Sequence, residues 1–97
     1  MNKYILKKSN RKDKKYMVLI DNKKIHFGQK GFTDYTINKK PEKKDLYISR
    51  HKKRENWNKS GIETAGFWAK HILWNKPTLR ESISDTEKKF NINIIKK

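Results

Sequence analysis

Cysteine is absent from this 97-residue chain, so neither a disulfide framework nor a thiolate metal site can form. Proline occurs only twice and glycine only four times, and no low-complexity tract stands out beyond clusters of lysine. No apolar run approaches the roughly 20 residues that span a bilayer, so integral membrane insertion is not expected. The opening Met-Asn-Lys-Tyr-Ile-Leu-Lys-Lys lacks the apolar stretch of a secretory signal. A nuclear, cytoplasmic or particle-internal location follows as the expectation. Acid is scarce as well: 10 Asp/Glu stand against 26 Lys/Arg, a formal net charge of +16. Such an imbalance repels itself in a compact chain and attracts anions from a distance. Arginine is the rarer cation, with four residues against 22 lysines. Bidentate reading of guanine favours arginine, so attraction to a phosphate backbone is expected rather than recognition of a sequence.

The chain is 33% hydrophobic and 11% aromatic, with three tryptophans, enough to close one modest core. One domain over 1–97 is expected, its basic termini held less tightly than its centre. Charge is distributed unevenly. Residues 1 to 54 carry 18 Lys/Arg against 5 Asp/Glu, whereas residues 55 to 95 carry 6 against 5. The basic half reads as a working surface.

Three β-favouring segments come first, at Tyr4–Leu6, Tyr16–Ile20 and Ile25–Phe27. In the second, Tyr16, Val18 and Ile20 share a face. Asp21-Asn22-Lys23 is a hairpin turn signal, because Asp and Asn tolerate the required backbone angles. Short connections make an antiparallel meander the simplest arrangement. Gly28 to Tyr35 reads as a loop. Pro41 suits the first turn of a helix, with Glu42 near the positive end of its dipole, and the pattern extends this helix to about Trp57. Thr64 caps a second helix containing Phe67, Trp68, Ile72, Leu73 and Trp74, apolar around most of its circumference and so central. Thr78 and Glu81 match a capping box opening a third helix, with Leu79, Ile83 and Phe90 inward. Asn91 to Ile95 suits either an edge strand or a helix end. The expected class is α+β, a small three-stranded antiparallel sheet followed by about three helices.

Three blocks are distinctive: HFGQKGFTDYT from His26 to Thr36, RHKKRENW from Arg50 to Trp57, and TAGFWAKHILWNKP from Thr64 to Pro77. Together they resemble a family of short uncharacterised proteins encoded by nucleocytoplasmic large DNA (giant) viruses. The family has no assigned activity, so the resemblance implies a viral setting but no catalytic residues. Virion packaging, genome handling and host interference are the jobs that setting implies, inside a virion or the cytoplasm or nucleus of an infected host cell.

The span from Lys39 to Arg54 holds eight cations and two acids. Its candidate phosphate contacts are Lys39, Lys40, Lys43, Lys44, Arg50, Lys52, Lys53 and Arg54. An N-terminal cluster of Lys7, Lys8, Arg11, Lys12, Lys14 and Lys15 extends the footprint. Phosphate neutralisation releases counterions, so such a face binds nucleic acid, DNA or RNA, with strong salt dependence and little sequence preference. The blander reading is a solvated lysine face that keeps the protein soluble. Phe32 or Tyr35, if exposed, offers a ring for a base to stack on. The loop Gly28-Gln29-Lys30-Gly31 lacks the P-loop pattern and reads as a turn. His51 and Glu55 lie four apart, but no further ligand spacing completes a metal or nuclease site, and ion pairing accounts for them. His26 and His71 read as packing residues. The function expected is non-enzymatic nucleic-acid binding without cofactor or metal. The alternative is a minor capsid or virion-scaffold protein that docks exposed aromatics on another viral protein.

Overall fold

Alternation of apolar and polar residues with a period of two builds the first half of the fold. A computed structural model describes residues 3–97, and the expected looseness of residues 1 and 2 lies outside that range. Strand β1 (Lys3–Lys8) pairs antiparallel with β2 (Lys14–Ile20), and β2 pairs antiparallel with β3 (Lys23–Gln29). Asp21 adopts φ of 54° in the tight β2–β3 turn, a left-handed conformation that aspartate accepts. Tyr4, Leu6, Val18, Ile20 and Phe27 point to one side and form the sheet's share of the core.

The sheet has a fourth strand that the meander omits. Strand β4 (Asn93–Lys96) lies parallel to β1, in the order β3-β2-β1-β4, so the sheet is mixed rather than three-stranded and antiparallel. Asn91 ends the preceding helix in a left-handed conformation, φ 53°, and turns the chain back along the free edge of β1. Ile92 and Ile94 then enter the core, which is the alternation that makes this segment a strand and not a helix end.

Helices cover the inner face. A single turn, α1 (Tyr35–Asn38), follows the expected loop and takes in its last residue, Tyr35. Asp34 caps it, accepting from the Thr36 amide at 2.9 Å. Helix α2 (Pro41–His51) begins at Pro41 as predicted but stops six residues short of Trp57. The reason is Glu55. Its carboxylate accepts from the Trp57 indole at 3.0 Å and hydrogen-bonds His51 Nδ1 at 3.1 Å. On a continuing helix residues 55 and 57 project about 200° apart and cannot share that carboxylate, so the backbone must leave the helix after His51.

Thr64 caps α3 (Ala65–Trp68) through the Phe67 amide, and the helix then widens into a π-helical segment at Ala69–Leu73. Phe67, Trp68, Ile72 and Leu73 are buried, so this is the central helix that its apolar circumference predicts. Each such side chain contributes about 1.5–3 kcal/mol relative to exposure. Helix α4 (Leu79–Phe90) opens on Thr78, whose hydroxyl accepts from the Glu81 amide at 3.1 Å and donates to the Glu81 carboxylate at 2.8 Å. Leu79, Ile83 and Phe90 pack against the core, but the residues of α4 that are fully buried are Ser82 and Thr86.

These small hydroxyls bring α4 close to the π segment and satisfy the backbone that the π geometry frees. The His71 carbonyl accepts from the Thr86 hydroxyl and the Asn75 amide, each at 3.1 Å. Asn75 donates again to Asp85 at 2.8 Å, a bond that holds the Asp85 carboxyl below its ordinary pKa. His71 itself is 2% exposed, lies between Phe67 and Phe90, and meets the Trp57 carbonyl through Nε2 at 2.9 Å. Its Nδ1 has no partner among the described residues. Burial pushes its pKa down to about 4, reinforced by Lys70 and Lys89 and opposed by the bond to Trp57 and by Asp85.

Candidate nucleic-acid interface

Helix α2 contributes no buried residue, which is unusual for an eleven-residue helix in a small domain. One aromatic stripe holds it. The Tyr47 ring stacks on Trp74 at 4.6 Å with an interplanar angle of 6°, and on its other side meets His51 at 4.2 Å. Burial, and then the nearby Glu55 charge, raise the Tyr47 hydroxyl pKa well above the ordinary value, so the ring stays neutral. With Tyr47 and His51 turned inward, Lys43, Leu46 and Arg50 are left exposed along the rest of the helix.

A groove runs between this helix and the loop that follows β3. Lys14, Gln29, Phe32, Arg50, Leu73 and Trp74 are among its lining residues, and its volume is about 430 Å³. A second hollow of about 260 Å³ adjoins it along α2, sharing Phe32, Tyr47, Arg50 and Trp74 and adding Lys43 and Leu46. Phe32 is 65% exposed, the most open large hydrophobic among the described residues. Trp68 is fully buried, whereas Trp57 and Trp74 are half-covered.

The Phe32 loop is pinned in place. Lys15 donates to the Phe32 carbonyl at 2.6 Å and pairs with Asp34 at 2.6 Å. Asp34 is 2% exposed and also accepts from the amide and hydroxyl of Thr36. The Asp34 charge, after burial, raises the pKa of Tyr16 alongside. A buried carboxylate satisfied by an ammonium and two further donors makes a rigid base for the loop. Gly28, at φ 77°, lets the chain pass over Leu73, since a Cβ there would lie 2.6 Å from Leu73 Cδ1.

The predicted phosphate contacts separate into groups. Lys14, Lys43 and Arg50 converge on the groove. Lys15 reaches it too, but its ammonium serves Asp34 and the loop. Lys44 lies 5.4 Å over the Tyr35 ring. Lys39 donates to the carbonyls of Thr36 at 3.1 Å and Pro77 at 2.6 Å, tying α1 to the turn before α4. Lys40 stands at the N-cap of α2, and Lys52, Lys53 and Arg54 form the exposed turn that ends it. Arg11 and Lys12 occupy the exposed β1–β2 turn, where Arg11 lies 3.7 Å from Asp13. Lys7 and Lys8 are exposed on β1, and Lys8 borders a separate hollow with Lys30 and Ile37.

One basic cluster escaped the sequence reading. Lys70 lies 5.5 Å over the Trp57 ring, and burial followed by the charges of Lys89 and Lys44 lowers its pKa, with Asp85 opposing. Lys70 and Lys89 belong to the half of the chain that is nearly neutral by count, so only folding sets them beside Lys44. Among the described residues no three His, Asp or Glu gather as a metal site, and no helix is long and apolar enough to cross a membrane.

Residues 4–51 match the model of a family of unknown function (DUF5754). The matched stretch takes in β1 to β3, the pinned Phe32 loop, α1 and all of α2. It therefore covers both walls of the groove and stops where α2 stops, short of the tryptophan-bearing floor. No curated protein and no solved structure matches the chain.

Proposed function

We propose that this is a non-enzymatic protein that binds nucleic acid through the phosphate backbone with little sequence preference. The observation that carries the reading is α2, a helix with nothing buried, whose Lys43 and Arg50 have no carboxylate partner among the described residues and stand beside a groove bordered by Lys14. Carboxylates of the chain engage Arg11, Lys15, Lys23 and Lys89 among the described residues, which leaves most of the basic half uncompensated. The resemblance of the three blocks to a family of giant-virus proteins supports a setting in the virion or the infected cell.

Titration of labelled duplex and single strands across a salt series tests the proposal. Affinity is expected to fall steeply, with log K linear in log salt, and the triple variant Lys43→Gln/Arg50→Gln/Lys53→Gln should flatten the slope by roughly 0.9 per lost duplex phosphate contact. Affinity indifferent to salt, or no binding at low salt, would reject it.

A virion-scaffold role is the second reading. Its support is the face of the sheet opposite the core, where half-exposed Ile95, Ile5 and Leu19 stand side by side. Size-exclusion chromatography with and without nuclease discriminates: large complexes that survive nuclease favour a protein partner.

A further inference from the structure

Backbone attraction alone does not account for Phe32. Exposing a large aromatic ring forgoes its burial, and in a mobile loop such a ring would fold down onto the nearby apolar floor. Here it cannot, because Lys15 and Asp34 fix the loop at its base, and Phe32 N bonds back to Gln29 O at 3.3 Å. The ring is held open above a recess of about 430 Å³ floored by Leu73 and Trp74, within the roughly 300–1,000 Å³ typical of small-ligand pockets. Cations frame the opening: Lys14 on the sheet side, Lys43 and Arg50 on the helix side. An apolar ring inside a cationic rim suits a ligand with a flat π-face and an anionic backbone.

We propose that the groove between α2 and the Phe32 loop receives unpaired bases of a single-stranded nucleic acid, Phe32 serving as the stacking platform while Arg50 and Lys43 hold adjoining phosphates. This rests on the nucleic-acid reading above and narrows it. In a duplex the bases stack on one another and leave no face for Phe32, whereas a single strand presents both base and phosphate to the same recess. Stacking tolerates any base, so the site discriminates strandedness rather than sequence. The adjoining hollow along α2 gives the strand room to continue beyond the first base.

Fluorescence anisotropy with a short mixed-sequence single strand and a fully paired two-strand duplex of matching composition tests the proposal on the intact protein at low salt. The single strand should bind more tightly. Phe32→Leu should weaken single-strand binding about tenfold and leave the duplex unchanged, and Phe32→Trp should restore it. Phe32 is exposed, so both variants keep the fold, which circular dichroism verifies. Unchanged single-strand affinity in Phe32→Leu, alongside weakening of both ligands by Arg50→Gln, would overturn the stacking site and leave the phosphate reading standing. Absence of binding to either nucleic acid at low salt would overturn both.

Discussion

Lowering the pH from above 7 to about 4 is expected to cost the folded protein roughly 3 kcal/mol through His71 alone. Burial holds the folded pKa near 4, below the ordinary value of 6.5. Between those values the unfolded chain takes up a proton that the folded chain refuses. The stabilisation is therefore complete above pH 6.5 and disappears as pH falls through 6.5 toward 4. Structurally, Nε2 donates to the Trp57 carbonyl, and unpartnered Nδ1, packed between Phe67 and Phe90, cannot accept a proton without burying a charge. The charges of Lys70 and Lys89 add to the penalty. Asp85, whose own pKa is lowered from 3.8, loses its contribution only at still lower pH. Denaturant midpoints measured across this range should fall for the wild type and be nearly level for His71→Gln. Parallel profiles for the two proteins would show that His71 does not carry the effect.

Gly61→Ala is expected to destabilise the fold by about 3 kcal/mol or more, at the upper end for overpacking. A Cβ at Gly61 would stand 2.2 Å from the Asn56 carbonyl oxygen and 3.0 Å from its carbonyl carbon. Both are backbone atoms, so no side chain can swing aside. Residues 56–61 would have to move together, disturbing the short 3₁₀ turn at Lys59–Gly61 and the Trp57 carbonyl that receives His71. Gly66 is the milder neighbour, since its added Cβ would meet the Glu55 carboxyl carbon at 2.8 Å, a side chain that can shift. Gly31→Ala provides the contrast. Nothing lies within 4 Å of its Cβ, so only the positive φ of 87° opposes it, a strain of about 1–2 kcal/mol. Thermal denaturation should rank these variants, with Gly61→Ala more than roughly 10 °C below wild type. A Gly61→Ala protein as stable as Gly31→Ala would disprove the close approach of Asn56.

Local signals in the sequence translated well where a single residue type answers a single backbone need. Pro41 opens α2, Thr64 caps α3, Thr78 caps α4, and the alternation of Val18, Ile20 and Phe27 marks the inner face of the sheet. Elements depart from their local spacing where a particular side-chain contact overrides it. The continuation of α2 to Trp57 obeys helical spacing, yet the shared Glu55 carboxylate overrides it. Ser82 and Thr86 carry no hydrophobic signal, and they are buried because the π segment presents a carbonyl for Thr86 to satisfy. The candidate cations divided in the same manner. Nothing along the chain says that Asp34 holds the Lys15 ammonium while Lys14 borders the open groove.

By itself the sequence determined the class of structure, the strongly cationic first half, the start of α2 at Pro41 and the threonine caps of α3 and α4, because hydrophobic period, charge and capping chemistry act over a few residues. Tertiary structure alone decided that β4 would join β1 in parallel, and that Lys14, Phe32, Arg50 and Trp74 would border one groove. Those outcomes depend on contacts between residues tens of positions apart, whose strength comes from burial and excluded water that only the assembled core creates.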